Sequence, residues 1–560
     1  MGTTGLFSIQ SIDYTALLPV LLVAGGALVV LVADLFLPAQ RKPWLAWGTI
    51  GILIAALIAE TVLWSSKTAL PRNTFCLLGN GPGANAGAGV GACSYSVDSF
   101  TLTLQTLALG ATVLVVLMAP RRFAVPFGEY HFLVLCSLTG ALVLAAARDF
   151  VTITVALETL SLPAFALVGF GRRVGGEAAL KFFLMSIAST AVMLFGISLI
   201  YGTTGTVFFQ QTSARLAQIS AEGGAQATVA VAGVVLTLVG FGFKISAVPF
   251  HFWTPEVYAG APIPVAAYLS VISKSAGFAG LILTVELALR AYLHSVGVLI
   301  GVLAAATMTV GNVIALRQRS AVRLLAWSTV AQAGYVLVPL AVTHTDTSLN
   351  PVAASVGYLV LYAVMNLGAF AVVSMVSGGE LATYRGMYRE RPRTALALAF
   401  FLLCLAGLPP GVMGLFAKVV VFKAAVSGNL VWLAAVMAVN IVVALYYYLR
   451  WAAILFDVSL FPAPQLTAPE LASPQLAAPE LAAPQLASLQ LAAPQFAVPE
   501  LASPQLAAPQ LAVSESALPP APPRAVPALA PRIAIGIAFT LAVVFSFWPN
   551  PALDAVSSWW

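Results

Sequence analysis

Long apolar stretches dominate this chain of 560 residues and limit what it can fold into. A helix needs about 20 apolar residues to cross the hydrocarbon core of a bilayer, and such stretches recur from residue 14 to residue 553. Only 8% of the residues are charged, whereas soluble domains carry about 25%. The composition therefore predicts an all-α polytopic membrane protein, and it excludes a soluble globular enzyme and a disordered chain.

The number and direction of the spans follow from the charges. Division of the region 128–171 at Arg148-Asp149 gives about fourteen transmembrane helices in total. Lys and Arg are enriched on the inner side of a membrane. With the N-terminus placed outside, sixteen of the 26 Lys and Arg residues fall on inner segments and five on outer ones. This bias, with an even number of spans, predicts that both termini lie on the outer face.

Two segments interrupt the apolar pattern. Residues 66–98 form a Gly-rich outer loop, in which a disulfide between Cys76 and Cys93 is plausible on the oxidising face of the membrane. Residues 462–531 hold sixteen of the 35 prolines, and within them 465–515 repeat Pro-(Gln/Glu)-Leu-Ala-(Ala/Ser) with a period of five. Proline at this spacing prevents helix formation and favours extended chain. We predict a low-complexity inner linker here, with a partner-binding tether as the alternative.

Ionisable residues inside the apolar spans are the most informative ones. Those that lie deepest are Glu158, Lys244, Lys274 and Lys418. At 1.5 Å of rise per residue, Glu158 lies about 14 Å beyond Asp149 and Lys274 lies about 18 Å beyond Pro262, which is near mid-membrane. A charge there costs at least a few kcal/mol unless it is paired or hydrated. Helix-end lysines that reach the interface, or one static ion pair, are the alternatives, and neither accounts for all four residues.

Three lysines and one glutamate at membrane depth indicate a hydrated path for protons. A low-dielectric site disfavours the charged form of a lysine, and a nearby carboxylate favours it. Movement of that carboxylate would therefore load or unload the lysine. Prolines break the hydrophobic region at 249–264 and again at Pro409-Pro410, and interrupted helices are typical of transport pathways.

The histidines and cysteines add one candidate residue. His251 lies in the first break, where it could relay protons between Lys244 and Lys274. A histidine hydrogen-bonded at the end of a broken helix is the equal alternative. The four Cys and four His residues show no metal-ligand spacing, so no metal, haem or Fe–S site is predicted. No run of five or more Lys or Arg occurs, which argues against nucleic-acid binding.

One segment carries a family resemblance. The sequence Gly242-Phe-Lys-Ile-Ser-Ala-Val-Pro-Phe-His-Phe-Trp-Thr-Pro-Glu-Val-Tyr-Ala-Gly-Ala-Pro262 resembles the signature of the antiporter-like membrane subunits of respiratory complex I, the type I NADH–quinone oxidoreductase. Within these subunits, Leu405-Ala-Gly-Leu-Pro409 and Ala444-Leu-Tyr-Tyr-Tyr-Leu-Arg450 resemble subunit N. The resemblance covers most of 10–455 and the final span, but neither of the two inserted segments.

The resemblance implies a fold of about fourteen helices with two inverted five-helix repeats and broken helices. It also implies that Glu158, Lys244, Lys274 and Lys418 form the proton path, because each matches an ionisable position of the family. The implied organisation is N-terminal transmembrane helices (1–65), an outer loop insertion (66–98), an antiporter-like transmembrane core (99–461), an inner linker (462–531), and a C-terminal transmembrane helix with its tail (532–560).

The function implied by the resemblance is proton translocation coupled to electron transfer from NADH to quinone on other subunits. NADH, FMN, Fe–S clusters and quinone are then expected on other subunits or at their interfaces, with no redox site or cofactor on this chain. The implied partners are other complex I membrane subunits, including the other antiporter-like subunits, within the lipid of a bacterial inner membrane. The alternatives are a subunit of a multi-chain cation/proton antiporter and a structural membrane scaffold.

Overall fold

Apolar helices make up nearly all of the structure, a computed structural model that describes residues 12–65, 70–76, 92–119, 127–171, 175–343, 350–376, 379–457 and 529–551. In chain order the helices are α1 (Tyr14–Phe36), α2 (Trp44–Ser65), α3 (Ser99–Met118), α4 (Phe127–Ala146), α5 (Phe150–Gly169), α6 (Gly175–Thr204), α7 (Phe209–Glu222), α8 (Gly224–Lys244), α9 (Trp253–Gly260), α10 (Ile263–Tyr268), α11 (Lys274–Leu283), α12 (Leu293–Ala315), α13 (Ala321–Leu340), α14 (Pro351–Val373), α15 (Met387–Glu390), α16 (Pro392–Ala406), α17 (Val412–Ser427), α18 (Val431–Leu455) and α19 (Leu529–Phe547).

Thirteen helical segments in the described residues are long and apolar enough to cross a membrane. The shorter helices α16 and α17 are separated only by residues 407–411, and we count them together as one interrupted crossing. The prediction of an all-α polytopic membrane protein with about fourteen spans is thereby confirmed. The inverted relation between the two five-helix repeats stays a prediction.

The predicted breaks lie where proline interrupts the helices. Helix α8 ends at Lys244, and the chain then turns through residues 245–252 before the short helix α9. The next crossing, 263–288, contains two π-helical turns, Leu269–Ser273 and Thr284–Ala288. Such turns open the ladder of backbone hydrogen bonds and occur often at functional sites. This crossing is buried along its whole length, whereas α6 and α19 leave most of their surface exposed.

The structure contains a β-hairpin, which the sequence did not predict. Strands β1 (Arg72–Cys76) and β2 (Cys93–Val97) pair antiparallel, with Cys76 opposite Cys93, and a disulfide joins the two cysteines. Tyr95 of β2 is buried against the bundle. Composition alone did not predict this pairing, because the Gly-rich stretch between the two strands is typical of a loop.

An ion pair ties this hairpin to the start of α1. The Arg72 side chain donates to Asp13 Oδ2 at 2.7 Å and to Asp13 Oδ1 at 3.0 Å. Burial by itself raises the pKa of Asp13, but the hydrogen bonds from Arg72 and Thr15 outweigh it and lower this pKa to about 2. A carboxyl group whose pKa is lower in the folded chain than in the unfolded chain stabilises the fold at pH values above its ordinary pKa. The contribution is therefore present at neutral pH and is lost only as the pH falls towards 2.

Several predicted boundaries lie outside the described residues. These include the middle of the outer loop and the whole linker except its last residues, so the linker and the domain division stay predictions. The final helix begins at Leu529, three residues before the predicted boundary at 532.

Candidate functional site

Glu158 of α5 and Lys244 at the end of α8 lie close to each other. Thr190 of α6 donates a hydrogen bond to Glu158 Oε1 at 2.8 Å. Lys244 Nζ donates to the hydroxyl of Ser161 at 2.6 Å. Glu158 and Ser161 lie on the same face of α5 because they are three residues apart. The Glu158 carboxylate therefore attracts the Lys244 ammonium through space, without a direct ion pair. The predicted neighbours are thus close in space, with a serine that the sequence analysis did not single out.

The broken segment after Lys244 is held in place by side chains. Val248 N–H donates to Thr307 Oγ1 at 2.9 Å, and Trp253 Nε1 donates to the Phe243 carbonyl at 3.0 Å. These bonds satisfy backbone groups that a continuous helix would have paired. One carbonyl at this helix end, that of Ile245, accepts from another lysine.

That lysine is Lys274, at the start of α11 and 2% exposed. Its Nζ donates to the carbonyl of Ile245 at 3.2 Å and to the carbonyl of Thr329 at 3.2 Å. Lys274 thus connects the end of α8 with α13. A β-carbon on Gly277, one turn later, would lie 3.0 Å from Lys244 Cγ, so the side chain of Lys244 packs directly on the helix of Lys274.

This close approach gives a test of the site. Gly277→Val should lower coupled proton uptake several-fold, because a branched side chain would push Lys244 away from Ser161, and overpacking typically costs about 1–3 kcal/mol. Gly110→Val on α3 is the matched control, since its β-carbon would meet nothing within 4 Å. Proton uptake and assembly are measured for both variants. Equal behaviour of the two would show that the Lys244–Gly277 contact has no role in uptake.

A polar network continues beyond Lys274 across α13 and α14. Tyr362 of α14 donates to Thr329 Oγ1 at 3.0 Å. Asn366, one turn further along α14, donates to Ser270 Oγ at 2.7 Å. Ser270 lies in the π-helical turn that precedes Lys274. The residues that hold the backbone around Lys274 are therefore themselves linked by buried hydrogen bonds.

The network extends along α13 to α18. Tyr358 donates to Gln332 Oε1 at 2.5 Å, and Gln332 Nε2 donates to the Tyr448 hydroxyl at 3.3 Å. The hydroxyls of Ser328 and Tyr448 lie 2.5 Å apart. A series of hydroxyl and amide groups of this kind can pass protons or hold water between ionisable residues.

A second group of buried amides joins α18 to α12. Tyr447 donates to Asn312 Oδ1 at 3.0 Å, and Asn312 Nδ2 donates to Asn440 Oδ1 at 3.1 Å. Asn440 in turn donates to Thr309 Oγ1 at 3.1 Å. These residues are not ionisable, so the charges in the sequence did not indicate them. Amides inside apolar spans were the signal that would have found them, since they too are expensive unless hydrogen-bonded.

Lys418 lies at the second break, and it is 4% exposed. Its Nζ donates to the carbonyls of Leu405 at 2.9 Å and Ala406 at 2.6 Å, the last two residues of α16. Gly407 follows in the left-handed conformation, with φ of 85°. Within the described residues, no hydrogen bond connects Lys418 to the network of α13 and α14. Both broken helices thus end with carbonyls bound by a lysine of a neighbouring helix, which are Lys274 at the first break and Lys418 at the second.

His251 lies in the first break and is 6% exposed. Its ring centroid is 5.2 Å from that of Trp327 on α13, and it interacts electrostatically with Lys274. Its Nδ1 atom is buried and has no hydrogen-bond partner among the described residues. The geometry accommodates both a relay and a histidine that caps the break, so its role stays a prediction. Over the described ranges, no group of three His, Cys, Asp or Glu residues could hold a metal ion.

Glu60 is a buried acid that the sequence analysis passed over. Helix α2 continues to Ser65, which places Glu60 inside the helix at 1% exposure. Neither carboxylate oxygen has a hydrogen-bond partner among the described residues. The side chain lines a cavity of about 300 Å³ together with Thr103 and Trp64. Glu60 therefore lies apart from the four predicted path residues.

Comparison with known proteins places this arrangement in a family. Residues 147–444 match the family described as NADH:quinone oxidoreductase/Mrp antiporter, TM. A protein of Streptomyces griseus named NADH-quinone oxidoreductase subunit N 2 is 53% identical over 460 residues, which covers 80% of this chain and 83% of that protein. NADH-quinone oxidoreductase subunit N of Salinispora tropica is 42% identical over 464 residues, with 80% and 86% covered.

Solved structures show the same architecture. A chain of respiratory complex I from Thermus thermophilus with bound aureothin matches with a TM-score of 0.67 and 27% identity, covering 96% of this chain and 98% of that one. A chain of the Mrp complex from Dietzia matches with a TM-score of 0.70 at 20% identity, covering 96% of each, and this likeness concerns the fold alone. The two relatives from Streptomyces griseus and Salinispora tropica are named as N subunits of NADH-quinone oxidoreductase. The chain belongs to the NADH:quinone oxidoreductase/Mrp antiporter family of membrane proteins.

Proposed function

We propose that this chain is a proton-translocating membrane subunit of a type I NADH–quinone oxidoreductase. The observation that carries the proposal is the series of buried lysines, each bound to neutral oxygen atoms at a helix break or beside one. An ammonium held by carbonyl and hydroxyl oxygens, with no carboxylate in direct contact, can lose its proton without leaving an unpaired partner charge. The similarity to N subunits supports the same function.

The path would begin where Glu158 approaches Lys244. The negative charge of Glu158 favours the protonated form of Lys244, and movement or neutralisation of Glu158 would favour release. Ile245 lies next to Lys244 in the chain and accepts from Lys274, so a change at the end of α8 reaches both lysines. The network of hydroxyl and amide groups on α13, α14 and α18 then lies beyond Lys274. Lys418 would serve as the outer relay, and His251 as a relay in the first break.

The proposal extends to cofactors, partners and location. Electron transfer from NADH through FMN and Fe–S clusters to quinone would occur on other subunits, with no cofactor on this chain. The partners would be other membrane subunits of the complex, including the other antiporter-like ones. This multi-pass chain would reside in a bacterial inner membrane. The lysine and arginine bias supports outer termini, because it places the Arg-rich segments inside.

Co-purification tests this proposal against a multi-chain cation/proton antiporter. The tagged full-length chain is isolated from membranes in mild detergent, and the accompanying chains are identified by mass spectrometry. We expect chains that oxidise NADH, together with NADH–quinone activity in the isolated complex. A complex without NADH-oxidising chains, and with sodium/proton exchange after reconstitution, would contradict the proposal.

The predicted linker gives a further test. Deletion of 465–515 should leave assembly and NADH–quinone activity close to wild type, because it removes no described helix and no path residue, and shortening a flexible connection costs little. Activity and complex size are measured on purified membranes. A complex that no longer assembles would show instead that the proline repeat docks a partner.

A further inference from the structure

A cavity between three helix ends lies on the side of the bundle opposite to Glu60. It has a volume of about 540 Å³, and it is lined at the end of α14 by Met375 and at the starts of α16 and α19 by two arginines, Arg393 and Arg532. Ligand pockets in proteins typically measure about 300–1,000 Å³. The cavity is therefore large enough for a polar headgroup, and nothing in the proton path uses it.

The charges around this cavity are unbalanced. Two neighbouring arginines on the same side share one carboxylate, since Arg385 and Arg389 lie 3.9 Å and 3.4 Å from Asp457. Arg393 and Arg532 form no ion pair within the part of the chain that the structure describes, and no acidic side chain lines the cavity. Two guanidinium groups beside one concave surface favour an anion with several oxygens, and arginine binds phosphate through paired hydrogen bonds.

The rest of the wall is apolar. Below the arginines, α16 contributes Leu396 and Ala397, and α19 contributes Ile535 and Phe539. The Phe539 ring lies 4.7 Å from that of Phe400, which closes the wall between the two helices. Arg393 and Arg532 lie in the first turns of helices that enter the membrane at this end. A ligand that fits has an anionic head at the membrane surface and hydrocarbon running along the helices.

We propose that this cavity binds an anionic phospholipid, with its phosphate at Arg393 and Arg532 and an acyl chain along α16 and α19. Basic cavities between transmembrane helices on the positively charged side are suited to such headgroups. The site would fasten the last helix, which buries little of its own surface, to the helix that begins the second broken crossing. It does not depend on whether the chain moves protons.

Photo-crosslinking of lipid to the intact complex tests the site. The complex is reconstituted into phosphatidylcholine nanodiscs with a small fraction of photoactivatable phosphatidylglycerol, and the cross-linked peptides are mapped by mass spectrometry. We expect labelling within 393–397 and 532–539, and competition by unlabelled phosphatidylglycerol but not by phosphatidylcholine. Competition by inorganic phosphate at equal concentration would overturn the proposal, because it would identify a site for the free anion.

Charge-removing variants complete the test. Since each basic residue near an anionic membrane surface accounts for roughly fivefold in affinity, the double variant Arg393→Gln, Arg532→Gln should lower this labelling by more than about tenfold. The control Arg317→Gln, Arg319→Gln removes the same charge from exposed positions at the same end of the bundle and should leave it unchanged. Should the first pair fail to assemble, the lysine variants of both positions retain the charge and should retain the preference for phosphatidylglycerol. Labelling that is the same in all variants would overturn the proposal.

Discussion

Lys274→Ala should reduce coupled proton uptake by about a hundredfold, the scale typical of removing a positioned proton-transfer group. Its Nζ donates to carbonyls of both the first broken helix and α13, and it lies between Lys244 and the buried hydroxyl network. No other ionisable side chain hydrogen-bonds these two carbonyls within the described residues. The measurement is proton uptake by inverted membrane vesicles, beside NADH oxidation by a soluble artificial acceptor, which should survive because that chemistry belongs to other subunits.

Two further lysine variants serve as comparisons for Lys274→Ala. Lys418→Ala should resemble Lys274→Ala, because Lys418 is bound in the same way by the carbonyls of a broken helix. Lys181→Ala should pump nearly as wild type. Its side chain is 48% exposed and pairs with Glu177 on the same helix, where an ion pair contributes little. Vesicles in which Lys181→Ala stops uptake while Lys274→Ala does not would show that the path lies elsewhere.

The positions of these lysines could be predicted from sequence because charge is expensive in hydrocarbon. An isolated Lys274 or Lys418 in a long apolar stretch already indicates burial, and proline nearby indicates a broken helix. The structure agrees on both points, since each lysine is almost fully buried at a break or beside one. The sequence could not predict the hydrogen-bond partners of these lysines. The partners are backbone carbonyls, those of Ile245, Thr329, Leu405 and Ala406, and every residue of a chain carries such a group.

The order of lysine and proline in the two breaks illustrates this limit. Lys244 precedes its proline and Lys418 follows its own, so the order of residues does not relate the two segments. In three dimensions the lysine that binds the end of the first broken helix is Lys274, from the next crossing. Lys418 binds the end of the second broken helix from the helix that follows it. The two breaks are thus alike because a lysine binds the last carbonyls of the broken helix in each. The spacing of lysine and proline in the sequence does not reveal this likeness.

Neutral polar groups were the larger omission. Gln332, Asn312 and Asn440 are each buried within α-helices that read as apolar spans. Gln332 and Asn312 hydrogen-bond tyrosine hydroxyls of α14 and α18, which are distant in the chain. Asn440 hydrogen-bonds Asn312 and Thr309 of α12. Tyrosines at such positions are equally compatible with a packed core, so only their hydrogen bonds distinguish a polar network from ordinary packing.

Glu158→Gln should leave assembly intact and lower proton uptake by about tenfold. The amide oxygen can still accept from Thr190, so the shape and one hydrogen bond are kept while the charge is lost. A charge several ångströms from an ammonium still contributes roughly 1–3 kcal/mol, and about 1.4 kcal/mol corresponds to tenfold. The measurement is proton uptake by inverted vesicles that contain equal amounts of the assembled complex.

Two neighbouring variants separate the charge of Glu158 from its hydrogen bonds. Thr190→Val keeps the carboxylate but removes its donor, and Ser161→Ala removes the hydroxyl that Lys244 binds. Both variants leave the negative charge of Glu158 in place, so each should lower uptake less than Glu158→Gln does. If Thr190→Val is as damaging as Glu158→Gln, the placement of the carboxylate matters more than its charge. Normal uptake by a fully assembled Glu158→Gln complex would remove Glu158 from the path altogether, and control of Lys244 would then rest on its hydrogen bond to Ser161.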